Sequence, residues 1–271
     1  VYFERYQAFQ RILSEKHPEI RLITSAGWTA EGEEFDLAYQ WMEANKDKAW
    51  AVDEHFYKSP RWFLKNIHRY DDYDRSLPKV FAGEYAAHTH ENTGERVCNW
   101  EAALSEAAFL TGLERNSDHV VMSCYAPLFG RMGHQQWQPD LIWFDNHSAY
   151  GTPSYYVQKL FSNNVGETLV ETCVDQDMET LSGLAETAGE ALLVSSTLTE
   201  DGLRLYVKLV NLSDTQKEVR LCPDRPVSHC ILHEMSAPLN AVNSPETPKK
   251  VSPGTTKPLP QDGSLLLCLP P

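Results

Sequence analysis

Aromatic side chains all but vanish from the second part of this sequence. Of 29 Phe, Trp and Tyr, 28 fall in residues 1–165, and Tyr206 alone lies beyond them. Proline leans the other way, with 10 of its 16 residues between Pro223 and Pro271. Two kinds of domain are therefore expected, 1–165 and 166–271. Positive charge is scarce: 24 Lys and Arg face 38 Asp and Glu, a net charge of −14. Such a chain repels phosphate backbones and anionic lipid, so no nucleic acid and no membrane is expected as a partner. No apolar run approaches the roughly 18–20 residues that span a bilayer. No CxxC pair occurs among Cys98, Cys124, Cys173, Cys222, Cys230 and Cys268, and none lies near a His at zinc-finger spacing. Reduced thiols, and with them a lean towards the cytoplasm, are the expectation; a disulfide in the second domain is the alternative. A nucleophile elbow, a P-loop and a dinucleotide fingerprint are all missing. The initiating Met and a signal peptide are missing too. Val1 already opens on a helix-like stripe, Tyr2, Tyr6, Phe9 and Leu13, so further chain is expected before it. What remains is an ordinary globular composition, 42% hydrophobic and 23% charged.

Residues 1–165 alternate short β-rich runs with amphipathic helices. The strands read as Ile20–Ser25, Ala49–Tyr57, Lys79–Ala86 and His119–Leu128. The helices read as Tyr2–Lys16, Glu33–Asn45, Pro60–Tyr70, Trp100–Arg115 and Pro153–Phe161, with Asn99 as a cap for the fourth. This spacing predicts parallel strands joined by crossovers, an open sheet or half of a (β/α)8 barrel. Residues 166–271 instead read as short strands, 191–198, 203–209, 217–221, 230–232 and 264–269, separated by turns such as Glu200-Asp201-Gly202 and Asp262-Gly263. An antiparallel β-sandwich is predicted there. Pro245, Pro248, Pro253, Pro258 and Pro260 mark one long irregular connection.

Parallel α/β layouts bind ligands at the C-terminal ends of their strands. Three such ends are rich in polar and aromatic groups: Asp53-Glu54-His55-Phe56-Tyr57, Gly83-Glu84-Tyr85, and Tyr125-Ala126-Pro127 continuing to Trp137 and Trp143. Glu84 closes an apolar strand, where a carboxylate is costly unless paired or functional. Beside aromatics and a His it suits glycoside hydrolysis, which uses two carboxyl groups; an ion-paired structural Glu is the bland alternative. His55 and Tyr57 are two apart and share a strand face. His88 and His90 are also two apart, but no third metal ligand has a defined spacing. Trp137 and Trp143 read equally as sugar platforms or as core. The run Tyr70-Asp71-Asp72-Tyr73-Asp74-Arg75 reads as a solvated helix end and loop.

Taken together, Asp53-Glu54-His55-Phe56-Tyr57, the Tyr70–Arg75 run and Val80-Phe81-Ala82-Gly83-Glu84-Tyr85-Ala86 resemble the family 51 glycoside hydrolases, the α-L-arabinofuranosidases. Thr111-Gly112-Leu113-Glu114-Arg115-Asn116, Pro139-Asp140-Leu141-Ile142-Trp143-Phe144-Asp145 and Tyr150-Gly151-Thr152-Pro153-Ser154-Tyr155-Tyr156 extend the likeness. It covers essentially all of 1–165, and 166–271 fits the family's C-terminal β-sandwich by position and pattern.

The resemblance implies the fifth to eighth strands of a (β/α)8 barrel followed by a sandwich. It implies retaining hydrolysis of terminal α-L-arabinofuranosyl groups from arabinan or arabinoxylan, with no metal or organic cofactor. Glu84 takes the place of the nucleophile. His55 and Tyr57 take the place of sugar contacts, and the contact after the eighth strand falls in the stretch Trp137–Asp140. The acid/base Glu falls before Val1, so this chain is expected to be incomplete for catalysis. A half barrel leaves two strand edges open. The isolated chain is therefore expected to aggregate, to be completed by a separate N-terminal piece, or to form a homo-oligomer. An endo-acting β-glucanase or xylanase of the same clan and a non-catalytic carbohydrate-binding remnant are the alternatives.

Overall fold

The computed structural model describes residues 1–90, 96–175, 180–260 and 263–271. The side chain of His90 and residue Asp262 of the expected turn lie outside the described residues. The chain forms two compact units. One comprises Val1–Lys58, His68–Ala86 and Asn116–Ala126; the other comprises Ser59–Ile67, Ala87–Arg115 and Pro127–Pro271. Packing thus groups the residues differently from composition, which changes near residue 165.

The first unit is built on a four-stranded sheet in the order β1 (Ile23–Ser25), β2 (Ala51–Lys58), β3 (Lys79–Ala87), β4 (Val120–Tyr125). β1 pairs with β2 in parallel, as β3 does with β4. β1 is shorter than the run 20–25 suggests, and β4 ends at Tyr125, before the sequence reaches Pro127. Along β2, Val52, Glu54 and Phe56 are buried on one face, while Asp53, His55 and Tyr57 lie half-buried on the other. Phe56 packs against Tyr85, and Tyr85 against Tyr125, with ring centroids 6.4 and 5.9 Å apart. Each ring of this kind stabilises the fold by about 1.5–3 kcal/mol through burial.

Helix α1 (Tyr2–Lys16) has the expected bounds but a different phase. Phe3, Tyr6, Gln10 and Leu13 form its half-buried face, whereas Tyr2 and Phe9 are exposed. The cause is Trp41 of α2 (Glu33–Ala44): the Phe3 ring stacks on it at 4.6 Å and Tyr6 meets it edge-on at 5.4 Å. Tyr2 instead uses its hydroxyl, accepting from the Ser25 N–H at 2.9 Å.

The run Tyr70–Arg75 is a turn with its charged residues in solvent, as expected, but its tyrosines turn inward. The helix before it stops at Lys65, because Asn66 turns back and donates to the Trp62 carbonyl at 2.8 Å. Tyr70 is 1% exposed. Asn116 donates to Asp71 at 2.7 Å, and Arg75 donates to the Tyr70 carbonyl at 2.6 Å and to Asn116 Oδ1 at 2.6 Å. Asp71, Asp72, Asp74 and Arg75 are exposed.

In the second unit, Asn99 caps the helix Trp100–Arg115, its Oδ1 accepting from the Ala102 N–H at 3.0 Å. Small residues let this helix pack closely: a Cβ at Gly112 would collide with the Ile67 carbonyl. The helix is tied to β-structure through Glu114, which accepts from Lys208 and Ser195 at 2.6 Å each. Leu192–Leu198 pairs antiparallel with Leu205–Asn211 and with Thr168–Leu169, and Lys217–Leu221 pairs with Leu265–Leu269. The apolar faces meet at Leu192, Leu267 and Leu269, flanked by Val194, Leu209, Val219 and Leu221. This is the two-layer antiparallel arrangement expected of a sandwich. The proline-rich connection is not wholly irregular, since Gly254–Thr256 pairs with Leu232–Glu234. All six cysteines are free thiols.

Candidate active site

The first unit gathers His55, Tyr57 and Glu84 at the C-terminal ends of β2 and β3. Simple alternation would turn Glu84 to the same face as Ala82. The β3–β4 register breaks that alternation: Ala82 and Tyr85 pair with Ser123 and Tyr125, so β3 carries one extra residue at Gly83–Glu84. A bulge of this kind re-aims a side chain, and here it brings Glu84 to the face of Tyr57. The Tyr57 hydroxyl donates to Glu84 Oε2 at 2.8 Å. Burial, then the adjacent Glu84 carboxylate, raises the Tyr57 hydroxyl above its ordinary value, so it stays a donor. His55 Nδ1 lies 3.6 Å from the same Glu84 oxygen, and its Nε2 lies 2.9 Å from Asp53 Oδ2. The hydrogen bond to Asp53 raises the imidazole above its ordinary value, with burial opposing it. The Glu84 side chain is 44% exposed. A carboxylate held by one donor, faced by an imidazole and open to solvent can attack an electrophilic carbon.

The other sequence-predicted residues belong to the second unit. Trp137 is 45% exposed, and the Arg96 guanidinium lies 4.8 Å from its ring centroid. Asp140 is 3% exposed and lies against Gly130, where a Cβ would crowd its carboxyl group. Burial pushes its carboxyl up to about 6. Trp143 is half-buried in the strand Ile142–Phe144, paired with Gly130 on one side and Tyr150 on the other. His88 is buried at 5% exposure. Among the described residues, no group of three His, Cys, Asp or Glu could hold a metal ion.

Sequence reasoning missed three carboxyl groups. Asp53 was visible in the motif, but its contact with His55 comes from their shared face. Glu54, on the opposite face of β2, is fully buried and accepts from the Tyr39, Tyr70 and Tyr73 hydroxyls and from Arg69 Nε, the last three at 2.9, 3.2 and 3.3 Å. Glu106 is fully buried in the second unit, and its Oε1 accepts from the Ala87 N–H at 2.8 Å. Burial pushes it up to about 8, although the Ala87 N–H and the Ser154 and Gln158 side chains pull the other way. Its signal was a lone carboxylate in the run Ala102-Ala103-Leu104-Ser105-Glu106-Ala107-Ala108-Phe109.

Comparison with known proteins identifies the family. The family described as the α-L-arabinofuranosidase C-terminal domain matches residues 83–271, and the α-L-arabinofuranosidase 1 domain matches residues 1–75. An extracellular exo-α-L-arabinofuranosidase of Streptomyces chartreusis is 45% identical over 170 residues, 62% of this chain and 19% of that protein. The α-L-arabinofuranosidase A of Aspergillus niger is 31% identical over 272 residues, 99% of this chain and 38% of that protein. An arabinose-bound family 51 α-L-arabinofuranosidase structure superposes with a TM-score of 0.81 at 28% identity, covering 98% of this chain and 40% of that one. The arabinose complex of the Thermotoga maritima enzyme shares the fold, with a TM-score of 0.78 at 17% identity over 100% of this chain and 60% of that one. The chain spans 19% and 38% of the length of these two curated relatives. It belongs to the family 51 α-L-arabinofuranosidases and matches their C-terminal portion.

Proposed function

We propose that the protein of which this sequence is part hydrolyses terminal α-L-arabinofuranosyl groups from arabinan or arabinoxylan, with retention of configuration and with Glu84 as nucleophile. The observation that carries this is Glu84 itself, aimed by a bulge, held by Tyr57 and His55, and open to solvent. Relatives named α-L-arabinofuranosidases support the substrate class. Residues 1–165 would supply the fifth to eighth strands of a (β/α)8 barrel and 166–271 its sandwich. The four-stranded sheet and the antiparallel layers are consistent with that division.

In the first step Glu84 attacks the anomeric carbon while a second carboxyl group protonates the departing oxygen. That second group, in our reading a glutamate outside residues 1–271, then deprotonates water, which displaces Glu84 from the sugar. Retention requires the two carboxyl groups about 5 Å apart. Trp137, Asp140 and Trp143, in the second unit, rest as sugar contacts on the resemblance alone. The open edges of β1 and β4 would be covered by the preceding part of the protein. The test is turnover of 4-nitrophenyl α-L-arabinofuranoside by the full-length protein, beside Glu84→Gln. Loss of turnover in the variant is expected; wild-type turnover in the variant contradicts the assignment. Size-exclusion chromatography of the isolated chain checks the open edges: association is expected, and a stable monomer that melts cooperatively contradicts it.

A further inference from the structure

Asp53 is tied to Glu84 through His55. Its Oδ2 meets His55 Nε2 at 2.9 Å, and the other ring nitrogen lies 3.6 Å from Glu84 Oε2. Its second oxygen, Oδ1, is buried with no hydrogen-bond partner among the described residues. Leaving a buried acceptor unsatisfied costs about 1–3 kcal/mol. The fold also reserves space for it: a Cβ at Gly83, the residue before Glu84, would collide with Asp53 Oδ1. Glycine at 83 and the carboxyl group at 53 therefore fit one another across neighbouring strands. An aspartate needed only for folding could sit where both oxygens are satisfied.

We propose that Asp53 is a positioning residue for Glu84, holding His55 as an imidazolium whose Nδ1–H is directed at the Glu84 carboxylate. The inference rests on the nucleophile reading of Glu84 for its use, but not for its test. The charged groups acting on His55 are Asp53 on its own strand and Glu84 on the neighbouring one. If Glu84 were the sole counter-charge, the imidazolium would lose it each time Glu84 became bonded to the sugar and turned neutral. Asp53 supplies a counter-charge that the reaction does not consume. The imidazole ring therefore keeps its proton and its aim through both steps.

The test is a pH titration of the imidazole ¹H–¹⁵N signals of the full-length protein by NMR, with His55 assigned by the signal lost in His55→Gln. The wild-type His55 is expected to titrate above ordinary histidine and to show protons on both ring nitrogens at neutral pH. Asp53→Asn is expected to bring it down to the ordinary value or below, and Glu84→Gln to lower it less. A wild-type His55 titrating at or below the ordinary value overturns the proposal, as does an Asp53→Asn variant that titrates like wild type or a larger fall in Glu84→Gln. If Asp53→Asn does not fold, a wild-type His55 titrating at or below the ordinary value, or a Glu84→Gln variant that brings it down to the ordinary value, still overturns the proposal. None of these readouts needs turnover, so failure of the arabinofuranosidase reading would show separately, as an unchanged turnover in Glu84→Gln.

Discussion

Glu54 and Glu84 sit on neighbouring strands of one sheet, and their surroundings differ in nearly every respect. Glu54 has no exposure and accepts from three tyrosine hydroxyls and an arginine. Its lone pairs are saturated, and Coulombic attraction to Arg69 within the buried cage offsets its desolvation. Glu84 has one firm donor, Tyr57, an imidazole slightly farther off, and nearly half its side chain in solvent. A saturated carboxylate has no lone pair left for chemistry, whereas one fixed from a single side can still react on the other. Burial alone would have pointed to Glu54 instead of Glu84. Glu106 gives a third case: buried like Glu54, but without a cationic partner, so burial keeps its proton on.

The contrast can be broken by exchanging losses of activity for losses of stability. Glu84→Gln should lower turnover by at least about 10³-fold while leaving the melting temperature nearly unchanged, as read by arabinofuranoside hydrolysis and thermal unfolding. Glu54→Gln should do the reverse to the fold, destabilising it by about 3–5 kcal/mol through an unpaired Arg69 in the buried cage; urea unfolding measures this. A variant whose stability matches wild type would mean that the cage is not structural.

Glu106 sharpens the comparison through pH. Its folded value of about 8 lies above the ordinary 4.5, so between these values the folded chain holds a proton that the unfolded chain has released. Stability should therefore be greatest below about 4.5 as far as this group is concerned, fall as pH rises towards 8, and change no further above it. Urea unfolding across that window should show the decline in wild type and its loss in Glu106→Gln. The smallest effect is expected for Tyr57→Phe, which removes one hydrogen bond to the Glu84 carboxylate and should cost about 1.5–3 kcal/mol. It should appear in kcat more than in unfolding.

Much of this was legible in the sequence where local rules decide. The bounds of α1 and of the helix Trp100–Arg115 follow from apolar periodicity and, for the latter, the Asn99 cap. That His55 and Tyr57 share a face follows from the two-residue repeat of a strand. The phase of α1 did not follow, because Phe3 rather than Phe9 finds Trp41, a tertiary contact. The burial of Tyr70 was hidden for the same reason: Glu54 draws its donors from positions 39 and 69–73, far apart in the chain. The bulge that aims Glu84 exists only in the pairing of β3 with β4. Sequence therefore picked out the candidate residues, and pairing decided which way they point.

The account stands on Glu84 forming the bond to the sugar. The full-length protein should be incubated with an arabinofuranoside inactivator whose glycosyl ester hydrolyses slowly, then quenched in acid, digested and analysed by peptide mass spectrometry. The predicted result is a single pentosyl adduct on Glu84, absent from Glu84→Gln. An adduct on any other carboxyl group, or one that persists in Glu84→Gln, would contradict it.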